Sequence, residues 1–254
     1  MMFRILFAAL LLALPAKAGD EQVVAGLSQN RIAITANFDG SEILIFGAVK
    51  RNSPPPKEAP MEVVITVAGP SQPVTVRRKD KRLGIWVNVD AVALESAPSF
   101  YAVATTGPME KVLNPEEDRK YRISIRHEIS AAAATAEVAD ADAFTEALIR
   151  IRTEKGLYQL KPGSVQLDEE TLFRTSIKLP SNLTEGEYTT RIYLTRNGQV
   201  VDEYETAIDV SKVGLERWLF KLSREKPLYY GLLSLFIAIV AGWGASAFFN
   251  YFRS

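Results

Sequence analysis

Residues 31–49 read Arg31-Ile-Ala-Ile-Thr-Ala-Asn-Phe-Asp-Gly-Ser-Glu-Ile-Leu-Ile-Phe-Gly-Ala-Val49. Ile32, Ile34 and Ala36 recur at every second position, which is the period of a strand with one buried face. Asp39-Gly40 follows. That dipeptide predicts a hairpin, because both of its positions must tolerate positive φ. The return strand, Glu42 to Val49, is rich in Ile, Leu and Phe. A mainly β body is therefore expected.

The pattern continues toward the C-terminus. Asn52-Ser53-Pro54-Pro55-Pro56 is a stiff loop that cannot be a strand. Met61 to Ala68 is predicted as a strand turned by Gly69-Pro70, and Val74–Arg78, Gly84–Val89 and Ser99–Thr105 complete the run. Strands at such spacing suggest an immunoglobulin-like β-sandwich over residues 19–106, with Trp86 as its core aromatic.

Residues 107–160 change character and read as a helical or mixed insertion. Asn114-Pro115-Glu116-Glu117 offers an N-cap, a proline at N1 and an acid at N3. Tyr121 to Glu128 alternates and is predicted as a strand, while Ala131 to Val138 favours helix or loop. A second helix, capped by Asp140 or Asp142 and ending near Gly156, carries Phe144, Ala147, Leu148 and Ile151 at helical spacing. A second small β unit spans 161–211, with strands at Leu172–Leu179, Glu187–Arg196 and Gln199–Val210, the last two joined by Asn197-Gly198. Three or four strands hardly stand alone. They form a small second sandwich or complete the first one's sheet.

The two ends set the expected topology. Arg4, an apolar run from Ile5 to Leu14, and Pro15-Ala16-Lys17-Ala18 match a secretory signal over 1–18, with cleavage after Ala18. Leu228 to Phe249 holds no charged side chain. About 20 such residues cross a hydrocarbon core of about 30 Å, so 228–249 is predicted as a transmembrane helix and 250–254 as a cytoplasmic tail. Residues 212–227 form a juxtamembrane amphipathic helix, with Leu215, Trp218, Leu219 and Leu222 on one side and Pro227 as the stop. Trp218, Tyr229 and Tyr230 suit the outer headgroup layer as interface anchors. Arg217, Lys221, Arg224 and Lys226 precede the span and only Arg253 follows it. Positive-inside bias alone would invert it, but a large preceding domain translocates largely regardless of charge.

Composition removes several function classes. Without cysteine there is no disulfide framework, thiolate metal site or cysteine nucleophile. One histidine excludes a multi-His zinc site. Thirty basic residues balance thirty acidic ones, which argues against nucleic acid as a partner.

Arg31–Val49 resembles the N-terminal signature of the alphaproteobacterial putative transmembrane protein family. So do Leu179-Pro-Ser-Asn-Leu-Thr-Glu-Gly-Glu-Tyr188, Arg191-Ile-Tyr-Leu194 with Asn197-Gly198, and the anchor after Lys226-Pro227-Leu228-Tyr229-Tyr230-Gly231. The similarity covers nearly the whole mature chain. The secretory signal is what places the domain in the periplasm; the resemblance implies a Gram-negative inner-membrane protein of unknown function with a single C-terminal span, and a gene setting near predicted sulfite-type anion exporters. No catalytic pattern travels with it, and no functional residues are carried over.

Candidate chemistry is sparse. His127, with Arg126 and Glu128, is a possible acid-base group whose ordinary reading is structural. Arg122, Arg126, Arg150 and Arg152 cluster in the middle section. On a strand, Arg122 and Arg126 would share a face and could fork an oxyanion, or simply pair with neighbouring acids. Asp39 with Glu42 is too few carboxylates for a calcium cage. Asp168, Glu169 and Glu170 read as a solvated run. Within the span, Ala238, Gly242 and Ser246 fall every four residues and permit close helix approach. The reading that results is a non-enzymatic accessory protein with no cofactor, no metal and no catalytic residue. Its partners are membrane lipid and either a polytopic membrane protein or a second copy. The alternative is an anion- or solute-binding module built on the four arginines; a tethered hydrolase has little behind it.

Overall fold

A computed structural model describes residues 21–35, 38–52, 59–133, 141–213 and 215–253. The predicted signal segment 1–18, Ala36, loop residues 53–58, the alanine-rich stretch beyond Ala133, Asp140 and Ser254 lie outside the described residues.

Two sheets enclose one apolar core. The first holds β1 (Gln22–Leu27), β3 (Ser41–Lys50), β10 (Leu172–Leu179) and β9 (Gln166–Asp168) in the order β1-β3-β10-β9, antiparallel throughout. Ile43, Ile45 and Val49 of β3 and Phe173, Ile177 and Leu179 of β10 point inward, while Leu44, Phe46, Leu172 and Arg174 face out. This is the two-residue period of a half-buried sheet. The second sheet holds β2 (Arg31–Ile34), β12 (Gln199–Lys212), β11 (Gly186–Arg196), β4 (Met61–Ala68), β7 (Tyr101–Thr105) and β8 (Tyr158–Lys161), in the order β2-β12-β11-β4-β7-β8. Its outer pairs, β2 with β12 and β7 with β8, are parallel.

β4 and β7 are buried on both faces, which is why they read as unbroken apolar runs. Val63, Ile65 and Val67 meet the first sheet across the core, together with Tyr188, Ile192 and Ile208. Val64 and Val103 face a second core. That core is closed by α1 (Met109–Val112), α2 (Pro115–Tyr121), α3 (Ile125–Ala133) and α4 (Ala141–Glu154), and by the root of a two-stranded ribbon, β5 (Ser71–Arg82) and β6 (Ile85–Pro98). The chain ends in α5 (Leu215–Glu225) and α6 (Pro227–Arg253).

Segment 161–211 does not stand apart as a second unit. β9 and β10 complete the first sheet, and β11 and β12 are central to the second. Asp39-Gly40 is not a hairpin either: β2 and β3 lie in different sheets, so the dipeptide carries the chain across the core. Gly40 sits at φ +123, and a Cβ there would meet the Leu179 carbonyl at 2.7 Å. Asn197-Gly198, by contrast, turns β11 into β12 with φ of 52 and 77, the two positive values of the favoured hairpin turn.

Tyr121–Glu128, predicted as a strand, is instead the junction of two helices. α2 ends at Tyr121, Arg122 caps it in the left-handed region at φ 52, and α3 begins at Ile125. Ser124 opens α3: its Oγ accepts from the His127 N–H at 3.4 Å and its carbonyl from the Glu128 N–H at 3.0 Å. Ile125 and Ile129 lie one helical turn apart, a spacing that outweighs the short Ile123/Ile125 alternation. Trp86 is not a core residue; it lies 68 % exposed near the tip of the ribbon. The fully buried aromatics are instead Phe100, Tyr101, Tyr158, Phe173, Tyr188 and Tyr193, with Phe100 and Tyr188 packed at 6.1 Å between ring centroids.

At one pole, a charge network closes the seam between the sheets. Arg196 at the end of β11 binds Glu21 at 2.7 Å and Glu170 at 3.8 Å, and Arg51 after β3 reaches Glu21 at 3.7 Å. Arg196 also donates to the Ala59 carbonyl, and Arg51 to the Glu170 carbonyl.

Candidate functional site

The opposite pole carries a polar cavity of about 340 Å³, formed where β4 turns into β5. One wall is the start of β11. Its odd-numbered residues Glu187, Thr189 and Arg191 face away from the inter-sheet core, because Tyr188 and Ile192 occupy the other face. Glu205, the cross-strand partner of Arg191 on β12, extends that wall. Gly69, Pro70 and Ser71 form the floor, and Arg122 and Glu128 enter from the helical layer.

The central contact joins Arg191 Nη2 to Glu128 Oε2 at 3.6 Å, with both side chains largely buried. It ties α3 to β11. Burial alone would lower the Arg191 pKa, but Tyr101, Tyr193, Glu128 and Glu203 around it more than reverse that, and the guanidinium is held charged. Burial, and after it the Glu128 carboxylate, pushes the Tyr101 hydroxyl up. Tyr101 donates to the carbonyl of Ile123 at 2.9 Å. Burial likewise raises Tyr193. With three carboxylates facing two guanidiniums, the cavity is not built to draw in an anion. No serine or histidine in it is set as a nucleophile and base.

The four arginines do not converge. Arg122 lines this cavity. Arg126 lies on α3 and binds Glu146 at 2.8 Å and Asp142 at 3.9 Å across to α4. Arg150 lines a groove between α4 and β5. Arg152 donates to the Pro98 carbonyl and sits 5.4 Å above the Tyr158 ring. Arg122 is the left-handed cap of α2 and Arg126 lies within α3, beyond the Arg122–Ser124 link, so the strand face expected to carry both does not exist.

His127 does have neighbours that sequence reading missed. Its Nδ1 lies 2.8 Å from Asp118 Oδ2 and 3.1 Å from Ser124 Oγ. Asp118 also accepts from the Ser124 N–H at 2.7 Å. A nucleophile triad needs the serine on one ring nitrogen and the acid on the other. Both contact Nδ1 here, so the arrangement is the cap that joins α2 to α3. Among the described residues, no group of three or more His, Asp or Glu is placed to hold a metal ion.

The membrane segment is a different kind of site. Residues Pro227–Ser246 of α6 are apolar and long enough to cross a bilayer, and none of that window is buried against the rest of the chain. Ala238, Gly242 and Ser246 lie on one face, four residues apart, and a Cβ on Gly242 would meet nothing within 4 Å. At the entry, Trp218 and Tyr229 are exposed, Lys226 lies 5.8 Å over the Tyr229 ring and Arg224 lies 5.0 Å over Phe220. Tyr230 is also exposed. Amphipathic residues of this kind suit an interface belt.

Comparison with known proteins adds little at the level of fold. No curated relative matches the chain. Among solved structures, the sporulation control protein Spo0M from Bacillus subtilis aligns with 11% identity and a TM-score of 0.28, over 78% of this chain and 51% of that one. This chain therefore spans about half the length of that structure, and a likeness so distant carries no argument. The family comparison is decisive, and it agrees with the exposed apolar helix: a model matches residues 22–251, and the chain belongs to the family described as "Putative transmembrane protein (Alph_Pro_TM)".

Proposed function

We propose that this chain is a non-enzymatic accessory protein that holds a β-rich, immunoglobulin-like body on the periplasmic side of a bacterial inner membrane, beside a transporter or another envelope complex. The observation that carries the reading is α6. It is an apolar helix whose Pro227–Ser246 window is not buried by any of the described residues, and it bears a face of small residues that suits close approach by another helix. The outer face of the first sheet supports it further. Val24, Phe46 and Leu172 are exposed there around an apolar hollow of about 520 Å³, with Leu44 exposed on the same face, and apolar surface of this kind suits a protein partner. The anion-binding alternative draws less support, because its arginines are spread over four places and the one in a cavity faces excess carboxylate.

The test is photo-crosslinking from position 242 in native membranes. The expected product is a polytopic membrane protein; recovery of lipid adducts and free monomer alone would overturn the accessory role. The orientation is checked separately by a reporter fused after Ser254, which should be active only in the cytoplasm.

A further inference from the structure

The β5–β6 ribbon is an arm with a definite origin. Hydrogen bonds from Gly69 N to Phe100 O (2.8 Å) and from Ser99 N to Pro70 O (3.0 Å) continue the β4–β7 ladder into it. The arm thus departs from the Ala68 end of the second sheet. Gly186 and Val210 are at that same end: they pair with each other, and a Cβ on Gly186 would meet Pro70 at 2.9 Å. Two residues beyond Val210, β12 stops and the chain runs on to α5 and the membrane helix. Arm and anchor leave the body from one end.

The first half of the arm is packed. Val76, Val92 and Leu94 are buried in the second core, and Arg78 lies 4.8 Å over the Phe144 ring of α4. Past that point every side chain from Lys79 to Trp86 is exposed. At about 3.3 Å per residue, the twelve residues of β5 give a reach of about 40 Å. The apex is Leu83-Gly84. Leu83 is wholly exposed and sits at φ 52, a turn position that favours Asn or Gly over a branched apolar residue. Ile85 and Trp86 beside it are 65% and 68% exposed. Across the strands Ile85 pairs with Arg82 and Trp86 with Lys81. Five cations stand against two carboxylates between Arg77 and Asp90, although the whole chain is balanced.

An apolar apex ringed by cations, on an arm that leaves beside a membrane helix, matches the chemistry of an anionic bilayer surface. Its apolar groups enter the interfacial layer and its cations meet lipid phosphates. We propose that the arm is a second membrane contact: Leu83, Ile85 and Trp86 enter the bilayer that holds α6, while Lys79, Lys81 and Arg82 bind anionic phospholipid headgroups. The body is then fixed at two points and cannot swivel about its anchor. This inference does not depend on the accessory role.

The absence of native cysteine makes the test direct. The full-length chain, with a nitroxide on Leu83→Cys or on Ile85→Cys, is placed in nanodiscs of phosphatidylcholine with or without phosphatidylglycerol. Accessibility to oxygen and to a nickel chelate is read by power saturation, with Glu169→Cys as the water reference and Gly242→Cys as the lipid reference. The expected result is an oxygen-rich, nickel-poor environment at 83 and 85 in the phosphatidylglycerol discs, lost in K79E/K81E/R82E. A label as wet as that at 169 in both lipids would overturn the proposal. A label shielded from both reagents, as in contact with a second protein, would overturn it too. Headgroup-brominated lipids read the same contact without a label: they should quench the wild-type chain more than Trp86→Phe, and equal quenching would count against insertion.

Discussion

The two poles of the β body use the same charged residue types to opposite ends. At the far pole, Arg51 and Arg196 meet Glu21 and Glu170 in a matched set. Side-chain exposures of only 11–13 % for Arg196, Glu21 and Arg51 show how far water is excluded. At the near pole, where the ribbon and the membrane segment depart, two guanidiniums face three carboxylates and one ion pair, Arg191–Glu128 at 3.6 Å, holds the cavity together. Matched, desolvated charge acts as a lock. Unmatched charge around an open cavity makes no such closed set. The matched set faces away from the membrane segment, and the carboxylate excess faces toward it.

The sharpest way to break this contrast is Arg196→Met, which strands Glu21 without its closest cation. Removal of one partner from a buried pair costs about 3–5 kcal/mol, so a large fall in the urea midpoint is expected. A loss under about 1 kcal/mol, the range of surface pairs, would mean that the far pole is no lock. Glu128→Gln at the near pole should cost less, about 1–3 kcal/mol, with faster amide exchange in α3 as its local signature. Equal costs at both poles would erase the distinction.

Alkaline titration sharpens it further. Burial raises the hydroxyls of Tyr101, Tyr188 and Tyr193, and that of Tyr158 to about 12. Each binds its proton more tightly folded than unfolded. Their stabilisation is therefore complete below the ordinary tyrosine value of about 10 and is lost as pH climbs from there toward the folded value. Unfolding midpoints should fall through that window, and Tyr158→Phe should flatten the fall. The smallest effect is expected for His127→Ala, about 1 kcal/mol, since only a cap between two short helices is lost.

Much of this architecture was legible from residue order. Met61–Ala68 and Leu172–Leu179 are strands to the residue, because β-branched runs bounded by Gly and Pro leave few alternatives. Asn197-Gly198 was read correctly and Asp39-Gly40 was not. A local turn signal specifies positive φ, and it cannot say whether the next strand pairs with the last or crosses to another sheet. Tyr121–Glu128 failed because three alternating residues fit a strand and the start of a helix equally well, and the deciding capping contact from Ser124 lies outside any periodicity. Trp86 was misplaced because aromatic size suggests burial, whereas β6 extends beyond the body that could have buried it. The near-pole cavity was the hardest to foresee. Glu187, Thr189 and Arg191 do alternate, but Glu128 and Arg122 reach them from a segment read as a strand.

The parallel pairing of β2 with β12 has a mechanical consequence. β12 is the last strand before the membrane segment, and it is bonded on one side to β2 and on the other to β11. Its ladder bonds run roughly across the strand, so a pull on the anchor along its axis stretches both rows in shear rather than opening them one at a time. Tension from the bilayer is therefore shared over two seams at once, and thermal jostling of the lipid should detach this body less readily than if its final strand lay at a sheet's margin.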